Sequence, residues 1–303
     1  MQENENLNNW TECWKNTARK RDFSSDESRM AEMWNKRSDT FGMSRRDDKG
    51  DKGEMRHKRT DNIFAMLKDA GFEAKGAKVL DIGCGPGTLA IPLAKAGADV
   101  TAVDIASGML DRLKKTTNDE NLSIDARELS WWTADIDELG FRNKYDLVLA
   151  SMTPGINGVE SFEKMMACSK GLCYYSNFVK RGENPAHDEL RKLLAKEKEE
   201  KDESRGPAPG HSHGPGNGLV FPFMYLYLAG YRPDVRIINS EHRMERKWDE
   251  AADRTIEMMS RNETLDDNAK AIIRNYYKNA SENGVYSPKS ITYTGMMVWN
   301  VNK

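Results

Sequence analysis

From Lys78 onward, apolar and polar positions switch regularly between two spacings. "KVLDIG" (78–83) is a short apolar run that predicts a strand, and "GTLAIPLAKAG" (87–97) has the wider spacing of a helix ended by Gly97. "DVTAVD" (99–104) predicts a second strand and "SGMLDRLKKTT" (107–117) a second helix. "LSWWTAD" (129–135) and "YDLVLAS" (145–151) follow as a third and fourth strand, then the helix "SFEKMMACSK" (161–170) and a fifth strand, "GLCYYSNFV" (171–179). Strands alternating with helices predict an α/β fold, a mostly parallel sheet covered on both faces. Such sheets hold ligands at the carboxyl ends of their strands, beside the point where strand order reverses.

The flanks read differently. Residues 1–60 are polar, with helical spacing of Trp10, Trp14, Met30, Met33, Trp34 and Phe41. The charged, glycine-containing run Arg45–Arg59 is expected to be a mobile connector. A helix is expected at about Thr60–Ala70, on the stripe Ile63, Phe64, Met66 and Leu67. Beyond Arg181 come a charged helix from Pro185, a Gly/Pro/Ser-rich loop Ser204–Gly218 and a short apolar helix "FMYLYLAG". "DVRIINSEHRMERKW" (234–248) reads as a long strand, followed by helices at Asp249–Ser260 and Leu265–Asn283 and a last strand "SITYTGMMVWNV". The two late strands predict an antiparallel hairpin at one sheet edge, with the last strand antiparallel. The expected organisation is a helical N-terminal cap and connector over 1–60. A core over 61–303 then carries inserted lid segments at about 182–230 and 249–283.

Composition narrows the class without naming a chemistry. The 303 residues are 31% charged and 38% hydrophobic, which fits a globular protein with a polar surface. The net charge of −2 supplies no overall attraction to nucleic acid or anionic lipid. Lysines and arginines between Lys15 and Arg59 are mixed with acids, as on a solvated face. The first ten residues lack the apolar stretch of a secretory signal, and the longest apolar run, Gly218–Tyr231, is shorter than the ~20 residues of a membrane span. A cytoplasmic protein is expected. The four cysteines have no metal-type spacing, so no metal is expected from them.

The stretch "VLDIGCGPGTLAIPLAKAGADVTAVD" (79–104) carries the chemistry. Gly83, Gly85 and Gly87 let the backbone turn sharply and let a ligand approach closely. The helix that follows presents unpaired N–H groups, and Asp104 ends a strand where it can accept from a ribose diol. The glycines do not follow the dinucleotide spacing G-x-G-x-x-G, and Asp81 stands two residues before the first of them. A carboxylate repels a pyrophosphate but suits a cation. S-adenosylmethionine (SAM), with an ammonium and a sulfonium, meets that demand, and a nicotinamide dinucleotide does not.

At these residues the sequence resembles the class I SAM-dependent methyltransferase family. "VLDIGCGPGTLAIPLA" is similar to its glycine-rich first motif, "VTAVDIASGML" to the second, "WWTADIDEL" to the third and "YDLVLASMTPGI" to the fourth. The resemblance implies a Rossmann-like sheet. It assigns Asp81, Gly83, Cys84, Gly85 and Gly87 to the methionine end and Asp104 with Ile105 to the ribose. It places Met109, Asp135 and Ile136 about the adenine, and Ser151 toward the methyl group. "MWNKRSDTFG" resembles the helix that precedes the core in small-molecule members of the quinone-biosynthesis kind, where Trp34, Arg37 and Phe41 would close the cofactor pocket; simple packing of that helix on the sheet is the other reading.

Methyl transfer needs alignment and exclusion of water more than a fixed catalytic group. Candidates for a base are therefore only His211 and His213 in the glycine-rich loop, and Tyr225 in the apolar helix. A solvated loop and a core helix are the alternatives for them. Ser151, Thr153 and Asn157 lie where they can meet substrate or cap the next helix. "SMTPGIN" departs from the motif by which related enzymes hold a flipped DNA base, so a small-molecule acceptor is expected, with S-adenosylhomocysteine (SAH) as product. A methyltransferase acting on RNA or protein, and a SAM-binding module without catalysis, are the rivals. Oligomeric state stays open.

Overall fold

The computed structural model describes residues 2–19, 27–41, 51–180, 185–201, 218–243, 245–260 and 264–302. In chain order the elements are α1 (Gln2–Arg19), α2 (Glu27–Ser38), α3 (Asp51–Asp69), β1 (Lys78–Ile82), α4 (Ala90–Lys95), β2 (Asp99–Asp104), α5 (Ser107–Asp119), β3 (Asp125–Glu128), β4 (Tyr145–Ser151), α6 (Val159–Cys168) and β5 (Ser169–Lys180). Then come α7 (Pro185–Lys201), α8 (Val220–Leu228), β6 (Asp234–Arg243), β7 (Arg246–Lys247), α9 (Trp248–Ser260), α10 (Asp267–Asn279), β8 (Val285–Tyr286) and β9 (Lys289–Asn300).

Seven strands make one sheet in the order β3-β2-β1-β4-β5-β9-β6. The pairs β1–β2, β1–β4, β2–β3 and β4–β5 are parallel. β9 runs against β5: the Val301 N–H reaches Gly171 O at 2.8 Å while a Cβ on Gly295 would touch Val179. The fold is a Rossmann-like α/β sheet with an antiparallel last strand, and its strand order reverses between β1 and β4. β1 is buried from Val79 to Ile82, as a strand covered on both faces requires.

The third strand is not "LSWWTAD". It is Asp125–Glu128, in register with Thr101–Asp104, and residues 131–133 are in a turn. Tryptophan and threonine favour strands, but here the Trp131 ring is drawn into the core and its Nε1–H reaches Ser161 O at 3.1 Å. The supposed connector is corrected as well. Its residues 51–59 are the first half of α3, where Lys, Arg and Glu are good helix formers. The helix is anchored farther on by buried Ile63, Met66 and Leu67.

The chain divides into two compact units. The first comprises Met1–Val179, Pro215–Ile237 and Gly295–Lys303, and the second Lys180–Gly214 and Ile238–Thr294. The first holds the sheet core of Leu80, Ile82, Val148, Phe162, Tyr175 and Trp299, with Trp14 of α1 and Phe221 of α8 packed into it. The second has its own core from Leu190, Ala252, Ile273 and Tyr277, with a buried Thr255–Tyr277 hydroxyl pair at 2.7 Å. α7, α9 and α10 belong to the second unit, whereas α8 belongs to the first.

Candidate functional site

A cavity opens at the carboxyl ends of β1, β2 and β4, the switch point of the sheet. The turn after β1 builds its floor. Gly83, Gly85 and Gly87 have φ of 65°, 55° and 89°, the left-handed region that glycine enters without cost. The N–H groups of Gly83 and Cys84 both reach Val103 O, which ties this turn to β2. The Cys84 side chain is buried and burial raises its thiol well above the usual range.

Asp104 is fixed from both sides. Its Oδ2 accepts from the Gly85 N–H at 2.8 Å and its Oδ1 from the Ala106 N–H at 2.9 Å. Burial raises its pKa, and these backbone donors oppose the shift. Asp81 is 2% exposed yet lines the same cavity, and the backbone of Ala90 at the start of α4 eases its ionisation only in part. Its pKa is pushed up to about 7, first by burial and then by the charge of Asp104. A raised carboxyl pKa favours the fold while the group is protonated. The unliganded protein is therefore expected to lose stability as pH climbs from about 4 through 7, read as a falling denaturation midpoint. Asp81→Asn should flatten that slope.

Ile105, Met109, Ser151, Trp34 and Phe41 all line the cavity beside Asp81, Cys84 and Asp104. Arg37 is exposed and does not line it; its guanidinium lies 5.5 Å over the Trp34 ring. Trp34 and Phe41 meet edge to face at 5.9 Å. Asp135 and Ile136 are also placed elsewhere. Asp135 is exposed and caps the N–H groups of Asp137 and Glu138, while Ile136 is buried in the sheet core. The cavity wall in that region is Leu129, Ser130, Trp131 and Trp132, because the strand ends earlier than the sequence pattern suggested.

Tyr225 is not in the cavity. It packs between Trp14 and Phe162, and its hydroxyl donates to Glu163 at 2.6 Å. Burial, helped by Glu163, raises its pKa, the wrong direction for a base. His211 and His213 lie outside the described residues. Ser161 binds the N–H groups of Asn157 and Gly158 as a cap of α6, and Thr153 Oγ1 accepts from the Gly155 N–H.

Several site residues escaped the sequence pattern. Lys164 Nζ donates to the carbonyls of Trp131, Trp132 and Ala134 at 2.7, 3.1 and 3.0 Å, clamping the loop that forms one wall. Arg59 of α3 lines the cavity, a position that the connector reading hid. Met152 has φ of 54°, an uncommon conformation for a side chain of its size, and its N–H bonds Ser176 O at 2.9 Å. Strain of this kind gathers at functional sites, and a single sequence carries no sign of it.

Residues 79–170 match the family model of a methyltransferase domain. A ubiquinone biosynthesis O-methyltransferase of Actinobacillus pleuropneumoniae is 47% identical over 53 residues, which cover 18% of this chain and 23% of that protein. A malonyl-[acyl-carrier protein] O-methyltransferase of Priestia megaterium is 36% identical over 77 residues, 25% of this chain and 26% of that one. The chain spans between 23% and 42% of the length of the first curated relatives it matches. Among solved structures, magnesium protoporphyrin IX methyltransferase of Synechocystis aligns with a TM-score of 0.48 at 16% identity, over 89% of this chain and 99% of that one. Among the described residues, no helix is long and apolar enough to cross a membrane.

Proposed function

We propose, from the match of residues 79–170 to the family model of a methyltransferase domain, that the chain is a class I SAM-dependent methyltransferase that binds SAM at the carboxyl ends of β1, β2 and β4, transfers its methyl group to a small-molecule acceptor and releases SAH. The observation that carries this reading is a buried Asp81 and a half-buried Asp104 lining one cavity, the charge of Asp104 adding to the cost of ionising Asp81. A phosphate ligand would add to that repulsion, and a ligand bearing an ammonium and a sulfonium offsets it.

The residues present fit SAM in kind and position. Asp104, preset by Gly85 and Ala106, offers its remaining lone pairs to the ribose hydroxyls. Asp81 faces the cationic end across the glycine turn. Ile105, Met109 and the Leu129–Trp132 loop supply apolar surface for the adenine. When bound, SAM supplies an activated methyl on a sulfonium whose departure leaves a neutral thioether. The chain's part is to hold the acceptor in line with that methyl and to keep water away. Ser151, Met152 and Thr153, at the end of β4, line the cavity, and in this reading they face the acceptor. The apolar rings of Trp34, Phe41 and Trp132 suit a small organic acceptor, and the relative named for ubiquinone biosynthesis supports that class.

Calorimetric titration with SAM, SAH and NAD tests the reading. Micromolar binding of the first two and none of the third is expected. Incubation with SAM and a metabolite extract should then release SAH; tight SAM binding without release from any extract would leave a binding module, not an enzyme. Affinity for SAM is expected to rise between pH 6 and 8, because the cation prefers Asp81 ionised and its pKa of about 7 falls in that window. A pH-independent affinity would remove Asp81 from contact with the cationic end.

A further inference from the structure

Helix α5 begins behind Ala106, a residue with no side-chain oxygen to cap it. The missing cap comes from another helix: Asn35 Oδ1 of α2 accepts from the Gly108 N–H at 2.9 Å. The reverse arrangement holds in the same last turn of α2. Arg112 of α5 donates through Nη1 to the Ser38 carbonyl and, at 2.6 Å, to the Phe41 carbonyl. An amide oxygen thus satisfies the positive end of α5, and a guanidinium satisfies the negative end of α2. Gly108 permits the approach, since a Cβ there would stand 2.7 Å from Ser38 Oγ.

The two caps sit beside the cavity. The Ala106 N–H, one step before the residue-107 start of α5, holds Asp104 Oδ1, and Gly108 in the same turn holds Asn35. Trp34 precedes Asn35 and lines the cavity, as does Met30 one turn earlier. The N-terminal end of α2 is tied separately: Glu27 Oε1 accepts from Ser130 Oγ of the cavity wall at 2.6 Å and from Thr133 Oγ1, just beyond that wall, at 3.1 Å. α2 is therefore bonded to the wall at one end and to the Asp104 turn at the other.

We propose that Asn35 and Arg112 are positioning residues for the cofactor: together they lock α2 beside the cavity and steady the turn that aims Asp104, so that cofactor leaves when this double cap opens. The inference rests on the cavity being the SAM site. Neither side chain need touch the ligand. Their substitution acts through Trp34 and Asp104, and it appears in the cofactor's dissociation rate and KM more than in kcat.

The test is stopped-flow dissociation of SAH from the full chain, chased with excess SAM. Asn35→Ala and Arg112→Ala are each expected to speed release and weaken SAH binding by about tenfold, the scale of losing one helix cap. Asn35→Asp keeps an acceptor for Gly108 and should stay within about twofold of the wild type. The Asn35→Ala/Arg112→Ala double variant should be little worse than either single, because one open cap already frees α2. Hydrogen exchange on the wild type supplies a check free of folding effects: the Gly108 amide and α2 should gain protection when SAH binds. Unchanged dissociation in both single variants, Asn35→Asp behaving like Asn35→Ala, or exchange in α2 indifferent to SAH would each overturn the lock. A folded wild type that binds no SAH would instead overturn the cofactor assignment, and the lock with it.

Discussion

Asp104→Ala weakens SAM and SAH binding by about 10- to 100-fold, the range for losing hydrogen bonds to a charged group. The carboxylate has two tasks. It accepts from Gly85 and Ala106, and it offers its other lone pairs to the cavity. Alanine ends both, leaving two backbone donors at the turn without their partner, so a loss of about 1–3 kcal/mol in stability accompanies the loss of affinity. Asp104→Asn separates the two effects. Its amide oxygen retains one backbone bond, so stability should recover more than affinity does. Calorimetry with SAH alongside denaturant unfolding reads both quantities. Wild-type affinity in Asp104→Ala would show that the ribose is held elsewhere.

Gly83→Ala is expected to be the most damaging single methyl in the site. The new Cβ would stand 2.0 Å from Thr153 Oγ1, at a φ of 65° that an L side chain resists. The left-handed conformation costs about 1–2 kcal/mol, and overpacking adds about 1–3 kcal/mol. Such a sum is a large part of a typical folding stability of about 5–15 kcal/mol. Gly85→Ala is the control. Its φ is 55°, but the nearest atom to a new Cβ is Phe41 Cε1 at 3.9 Å, so it should show the conformational cost alone. Adding Thr153→Ala to Gly83→Ala should restore the part due to crowding and leave the part due to φ. If the double variant is no more stable than Gly83→Ala, the clash is relieved by backbone movement and the close packing of β1 against the β4 loop is not what demands glycine.

Both predictions concern residues that local sequence exposes. A glycine at positive φ and a carboxylate at a strand end are properties of a few consecutive residues, so the turn after β1 and the end of β2 could be read directly. The same holds for the alternation of strand and helix from Lys78 to Val179, whose apolar periods follow from burial on both faces of a parallel sheet. Where reading failed, a distant partner had intervened. Trp131 and Trp132 have the composition of a strand, yet Ser161, Pro154 and Lys164 hold them in a turn. Asp135 and Ile136 moved away from the cavity with that turn. Tyr225, a base candidate or a core-helix residue by sequence, is enclosed by Trp14 and Phe162, from the first helix of the chain and from α6.

The sequence by itself determined the α/β architecture, the glycine turn and the two acids of the cavity, because each arises from spacings of a few residues along one strand or turn. Only the tertiary structure decided which surface completes the site. Asn35 meets Gly108 across 73 residues and Glu27 meets Ser130 across 103, and no local period records either meeting. A cap or a clamp is an affair of one donor and one acceptor, and any asparagine or glutamate in a polar helix is able to supply it until folding selects the one that lies within reach.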